Sequence, residues 1–369
     1  MKYYLIAGEA SGDLHGSNLM KSLKAEDVAS EFRYFGGDLM QAQGGTLVKH
    51  YSEMAFMGFA EVIANLGTIF KNLQKAKQDI LDYQPDVLIL VDFPGFNLKI
   101  ADFAKKHQIK VFYYISPKVW AWNQKRVLKI KKVVDRMFCI LPFEVDFYKA
   151  WGMEVDYVGN PLLDAIEGNI EDASFAIRHN LSVRPVIALL PGSRKQELKK
   201  LLPVMMAVAD RFPQYQFIIA GAPGLTLAEY TPYIQHRSVQ VIFEETYNLL
   251  LHSIGAVVTS GTATLETALL KVPQVVVYKG NALSIGIARL LVKIRFISLV
   301  NLIMDEEVVK ELIQEDCNPD KIEEELNNIL HDPLYRTAML INYDELAMKM
   351  GQPGASSRTA RLMLNYLTE

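Results

Sequence analysis

The chain has 369 residues, half of them hydrophobic, more than a single core usually accommodates, so two domains of ordinary size are expected. A net charge of -3 gives no overall reason to bind nucleic acid, and any site for an anion must therefore be local. Cys139 and Cys317 lie far apart and read as reduced thiols of a cytoplasmic protein; residues 1–7 are too few for the apolar core of a secretory signal, and no run approaches the roughly 18 apolar residues of a membrane span.

Short apolar strands alternate with helical patterns along the chain. They are expected at residues 3–7, 32–35, 87–91, 111–115, 137–141 and near 155–158 in the first half, and at 186–190, 216–220, 239–243, 256–259 and 274–277 in the second. The alternation predicts an α/β chain of two doubly wound, Rossmann-like domains that face each other across a cleft, with ligands at the carboxyl ends of the strands. The turn Gly159-Asn160-Pro161 and the polar stretch 167–182 put the boundary between residues 1–168 and 169–349. After the break Gly351-Gln352-Pro353-Gly354 a last helix is expected, and the tail 350–369 is free to pack back on the first domain.

In chain order, the first strand runs into Gly8-Glu9-Ala10-Ser11-Gly12-Asp13 and then a helix, a glycine-bearing turn in which Ser11, Gly12 and Asp13 either cap the helix or line the cleft. Residues 56–59 lead into a helical stripe of Phe59, Ile63, Leu66, Phe70 and Leu73, which reads as packing against the sheet or, with Lys71, Lys75 and Lys77 beside it, as a surface dipping into a membrane interface. The strand 87–91 ends in Asp92-Phe93-Pro94-Gly95-Phe96-Asn97. Asp92 is either a helix cap or a general base for a hydroxyl, with Asn97 orienting it. Ser116 to Arg126 joins Trp120 and Trp122 to a basic run through Lys118, Lys125 and Arg126 that continues to Arg136; this is a solvated helix face or a phosphate-binding, interfacial patch.

In the second half, Leu190-Pro191-Gly192-Ser193-Arg194 and Ser260-Gly261-Thr262-Ala263-Thr264 each follow a strand and open a helix. Two helix N-termini with free N–H groups, reinforced by the Arg194 guanidinium, suit an anion such as a diphosphate. Glu266, one turn into the second helix, is placed to accept from ribose hydroxyls or simply favoured by the helix dipole, and Asn301, the amide in an apolar run, is either a member of a structural network or a cleft residue. No G-x-G-x-x-G, Walker A or Asp-x-Asp pattern occurs and the histidines are scattered, so neither a metal nor a cofactor is expected.

Taken together, GEASGD (8–13), FMGFAEV (56–62), VDFPGFN (91–97), SPKVWAWNQKRV (116–127), LPFE (141–144), LLPGSRKQE (189–197), SGTATLE (260–266) and SLVNLI (298–303) resemble the lipid-A-disaccharide synthase family, in order and over nearly the whole chain. The resemblance implies a GT-B type fold and an inverting transfer of 2,3-diacylglucosamine from UDP to the 6′-hydroxyl of 2,3-diacylglucosamine 1-phosphate, giving UDP and a β-1,6 disaccharide. It implies a catalytic role for Asp92 and Ser11, cleft roles for Arg194 and Asn301, and a ribose contact for Glu266. It further implies a peripheral protein on the cytoplasmic face of the bacterial inner membrane, with the first domain taking the acceptor and the second the UDP-sugar. Oligomeric state is open. A nucleotide-sugar 2-epimerase, or a non-catalytic membrane-associated nucleotide-binding protein, shares the architecture and remains an alternative at this stage.

Overall fold

The computed structural model describes residues 1–54, 65–167, 172–280 and 295–369. Contacts divide the chain into a first unit, Met1–Pro161 with Gln352–Glu369, and a second, Leu162–Gly351.

The first unit is built on seven parallel strands: β1 (Lys2–Ala7), β2 (Glu31–Gly36), β3 (Thr46–His50), β4 (Val87–Val91), β5 (Lys110–Tyr114), β6 (Arg136–Cys139) and β7 (Asp156–Tyr157), in the order β3-β2-β1-β4-β5-β6-β7. Every residue of β4 is buried, as a parallel strand covered on both faces requires. Its side chains alternate between two cores. Leu88 and Leu90 join Ala76 and Ile80 of the Leu66–Tyr83 helix and Ile100 of the Pro94–Lys106 helix, while Val87, Ile89 and Val91 join Leu19 and Leu23 of the Ala10–Glu26 helix and Ala360 and Met363 of the last helix, Ala355–Thr368. Arg358 of that last helix donates to the carbonyl of Val158 at 2.9 Å, and Arg136 lies 3.9 Å over the Tyr366 ring.

The second unit repeats the plan with six parallel strands: β8 (Val186–Leu190), β9 (Gln216–Gly221), β10 (Gln240–Phe243), β11 (Ser253–Thr259), β12 (Gln274–Tyr278) and β13 (Glu311–Ile313), ordered β10-β9-β8-β11-β12-β13. Counted from its own first strand, this is the 3-2-1-4-5-6 order of a dinucleotide-type fold. In each unit the strand order reverses beside the first strand. The switch points therefore lie between β1 and β4 and between β8 and β11, where the crossovers leave on opposite faces and the strand ends are open to a ligand.

β3 and β13 lie outside the strands expected from periodicity, each at a sheet edge and partly exposed. The Phe59 and Ile63 part of the apolar stripe lies outside the described residues. Of the remainder, Leu73 is buried in the core and the neighbouring Ile69 packs against it, whereas Leu66 and Phe70 are 56% and 62% exposed, so this helix turns one apolar face to the core and leaves part of the stripe outside it. Both cysteines are buried and not joined in a disulfide, and no helix among the described residues is long and apolar enough to cross a membrane.

Candidate active site

All four loops singled out for chemistry leave strands at a switch point: 8–13 follows β1, 92–97 follows β4, 191–194 follows β8 and 260–262 follows β11.

In the first unit, Asp92 directly follows β4 in a left-handed conformation, φ 42°, and Phe93 comes next at φ 48°. Two consecutive non-glycine residues in that region cost about 1–3 kcal/mol each and persist only where the surroundings hold them. Asn97 supplies that hold. Its side-chain amide is fully buried and donates to the carbonyls of Ile6, Val91 and Asp92 at 3.3, 3.2 and 2.8 Å, tying the ends of β1 and β4 together. The Tyr113 hydroxyl donates to the same Asp92 carbonyl, and the Asp92 N–H donates to that of Tyr114 at 3.1 Å. The Phe93 ring lies where a Cβ on Gly8 would sit, 2.2 Å away, so only glycine lets the two loops meet. With no exposed surface, Asn97 positions Asp92 through the backbone and is not a substrate contact.

Burial pushes the Asp92 carboxyl up to about 6, with Glu9 raising it further and Lys118 pulling it down. Glu9, Asp92 and Lys118 therefore share one electrostatic neighbourhood at the ends of β1, β4 and the loop after β5. Ser11 is exposed in the first turn of the Ala10–Glu26 helix, beside them in sequence. Gly12 is buried, its missing Cβ facing Ala7 at 3.3 Å, and is a packing contact rather than a ligand contact. Asp13 does not cap its own helix. Its carboxylate accepts from the N–H groups of Gly37, Leu39 and Met40 at 2.7, 3.0 and 3.1 Å and so fixes the loop after β2.

The tryptophan-basic segment separates into two kinds of residue. Trp120 is 6% exposed and donates from Nε1 to Glu144 at 3.2 Å, with Phe143 edge-on to its ring; this corrects its expected contact with substrate. Glu144 also accepts from the Leu141 N–H at 3.1 Å, and burial pushes its carboxyl up to about 7. Lys118 and Lys125 are exposed, and the Arg126 guanidinium lies 4.9 Å over the half-exposed Trp122 ring. Glu144, Tyr113 and Glu9 are the supports that periodicity did not single out, although Glu144 belongs to the LPFE motif and Glu9 to GEASGD.

In the second unit, Gly192 adopts φ 104° and Ser193 and Arg194 are exposed at the start of the Lys195–Ala209 helix. The amides of Ser193 and Arg194 are not free as expected: the Glu197 carboxylate accepts from them at 3.0 and 3.3 Å. A Cβ on Gly192 would fall 2.2 Å from the same Glu197 oxygen. An internal anion therefore already sits on this loop. The Arg194 guanidinium is exposed and, among the described residues, makes no hydrogen bond or ion pair. Ser260, Gly261 and Thr262 lead into the Thr262–Leu269 helix; Gly261 and Thr262 are exposed, and Gly261 has extended backbone with open space around it. Glu266 is held by the Tyr247 hydroxyl at 3.1 Å, and burial raises its carboxyl above the usual range.

Asn301 is fully buried, and all four of its side-chain bonds stay inside its own segment: Nδ2 donates to the Val309 carbonyl at 2.8 Å and to Glu311 at 2.9 Å, while Oδ1 accepts from the N–H groups of Val308 and Val309, each at 2.9 Å. Of the two open readings, the structural network is the one present, and the expected direct contact with substrate is corrected. Among the described residues no group of three or more His, Cys, Asp or Glu is arranged to hold a metal.

The lipid-A-disaccharide synthetase family model matches residues 3–360. The chain is 38% identical over 370 residues to the lipid-A-disaccharide synthase of Geobacter metallireducens, covering 98% of this chain and 96% of that protein. It is 39% identical over 371 residues to that of Nitrosococcus oceani, covering 98% and 95%. Among solved structures it resembles the S. aureus MnaA-UDP co-structure (TM-score 0.71, 12% identity, 100% of this chain and 97% of that chain) and a UDP-GlcNAc 2-epimerase from Neisseria meningitidis bound to UDP-GlcNAc (TM-score 0.66, 13% identity, 100% of both chains). At such identities these two likenesses concern the fold alone. With nearly its whole length matched by the family model and by relatives well above 30% identity, the chain belongs to the lipid-A-disaccharide synthetase family.

Proposed function

We propose that this chain joins the 2,3-diacylglucosaminyl group of its UDP conjugate to the 6′-hydroxyl of 2,3-diacylglucosamine 1-phosphate, with inversion, releasing UDP and a β-1,6-linked disaccharide 1-phosphate. The first unit takes the acceptor and the second the UDP-sugar. Family membership supports the reaction, and the observation that carries the mechanism is the geometry of Asp92, a strained, braced carboxylate whose proton affinity burial raises toward neutrality.

A sugar hydroxyl is a weak nucleophile. As the acceptor oxygen bonds to the donor's anomeric carbon and the bond from that carbon to the diphosphate breaks, the hydroxyl proton passes to Asp92; a base so placed contributes about 10²–10⁴-fold. A carboxylate of pKa about 6 is a better base than an ordinary one and is still ionised at neutral pH. Lys118, whose charge reaches Asp92, suits the acceptor phosphate, and Ser11 offers its exposed hydroxyl from the first turn after β1. The charge that develops on departing UDP meets the exposed Arg194, beside Gly192 and Ser193, and the helix N-terminus after Ser260 to Thr262, where fixed dipoles stabilise an anion without reorganisation. Glu266, steadied by Tyr247, accepts from the ribose hydroxyls. Lys125 and Arg126 with Trp122, and the exposed Leu66 and Phe70, offer cations and apolar surface to the inner-membrane interface from which acylated substrates come.

Incubation with UDP-2,3-diacylglucosamine and 2,3-diacylglucosamine 1-phosphate tests the proposal. The expected products are the disaccharide 1-phosphate and stoichiometric UDP. An epimerised donor with no disaccharide, or UDP binding with no turnover, would overturn it.

A further inference from the structure

We infer that Glu311 is a positioning residue for the UDP-binding loop of the second unit, acting on Ser260 through the Ile297–Ser298 peptide. The inference rests on the reading of 260–262 as part of the UDP site. Glu311 opens β13 at the sheet edge, and its carboxylate gathers a convergent set of donors: the Ile297 N–H on one oxygen at 2.9 Å, the Ser298 N–H and the Asn301 side-chain amide on the other, both at 2.9 Å. The other face of the Ile297 residue is the link. Its carbonyl accepts the Ser260 hydroxyl at 2.9 Å.

Glu311 therefore holds the segment against which Ser260 is aligned, and Ser298, itself fully buried, extends the hold by accepting the Asn301 N–H at 3.2 Å. Such an arrangement does two things. It neutralises donors that would be costly to bury unpaired, and it fixes the Ser260 hydroxyl by making that side chain a donor to a protein carbonyl, so that its oxygen lone pairs and the neighbouring loop N–H groups keep one orientation. It also gives the buried Asn301 a route to the site that needs no contact with substrate, since its amide holds the Glu311 oxygen that orients this segment. Hydrogen bonds to a charged acceptor are the stronger kind, which suits a carboxylate rather than an amide at position 311.

The test measures UDP affinity by calorimetry and donor and acceptor KM for the full chain, wild type against Glu311→Gln, Ser260→Ala and the double variant, with thermal unfolding as a fold control. Gln turns one of the two acceptor oxygens into a donor facing donors, so Glu311→Gln is expected to weaken UDP and raise donor KM about tenfold while acceptor KM stays put. Because both changes act along one route, adding Glu311→Gln to Ser260→Ala should cost little more than Glu311→Gln alone. Multiplying effects, or a folded Glu311→Gln that binds UDP as wild type does, would overturn the role. Should Glu311→Gln not fold, Asn301→Ser removes one donor from the carboxylate and carries the same comparison, with unchanged UDP affinity in the folded variant again contradicting it. Wild type that fails to bind UDP would instead count against the UDP reading of the loop.

Discussion

Replacing Glu144 with Gln should reverse its effect on stability between acid and alkaline pH. The side chain is 1% exposed and accepts from Trp120 Nε1 and the Leu141 N–H, and burial pushes its carboxyl from an ordinary 4.5 to about 7. A carboxyl whose folded value lies above its unfolded one adds stability fully below the unfolded value and loses it as pH rises through the folded value. Across that window wild type should lose roughly 3 kcal/mol from this group alone. Gln has no proton to lose, but its NH2 faces one of the two N–H donors, costing about 1 kcal/mol at any pH. Glu144→Gln is therefore expected to be about 1 kcal/mol less stable than wild type at low pH and about 2 kcal/mol more stable above pH 8, crossing over near pH 5. Urea unfolding followed by tryptophan fluorescence checks this. The three tryptophans, at 120, 122 and 151, all belong to the first unit, so the second unit does not blur the transition. A constant difference between wild type and variant across the range would refute the reasoning.

Two further outcomes follow from the loops. Gly192→Ala meets both the φ of 104° and a Glu197 oxygen 2.2 Å from the new Cβ, so it should cost roughly 1–3 kcal/mol locally and weaken UDP binding by calorimetry; wild-type affinity with an unchanged melting point would contradict the close packing of that loop. Asn97→Ala strips donors from the Ile6, Val91 and Asp92 carbonyls and should lower stability by about 2–4 kcal/mol and kcat more than KM, because it lets Asp92 relax without removing it; a rise confined to KM would restore Asn97 to the substrate.

Much of the scaffold was legible in the sequence because parallel strands buried on both faces read as unbroken apolar runs, as in Val87–Val91 and Val186–Leu190, and because loops at switch points are short and glycine-bearing. β3 and β13 were not, since an edge strand such as Thr46–His50 is half-exposed and carries Lys49 and His50 like a loop, and Glu311–Ile313 is too brief for any period to register. At the site, pattern located the loops but not which polar residues face inward. Asn97, Trp120 and Asn301 look like ligand contacts in one dimension, yet each turns its side-chain N–H groups to protein partners that only the folded chain brings near, 91 positions away for Asn97 and Ile6. Glu197 was equally hidden. Its spacing from Arg194 is a capping pattern, but that it takes the amides of a loop expected to be vacant depends on the backbone of Gly192.

The most direct test of Asp92 as base is the pH dependence of kcat/KM for disaccharide formation, measured for wild type and Asp92→Asn alongside UDP affinity. Because the base must be ionised, wild-type activity should fall about tenfold per unit below an apparent pKa near 6, and Asp92→Asn should lose roughly 10²–10⁴-fold in turnover, with that limb abolished and UDP binding intact. Unchanged turnover in Asp92→Asn, or an acid limb that survives the substitution, would contradict it.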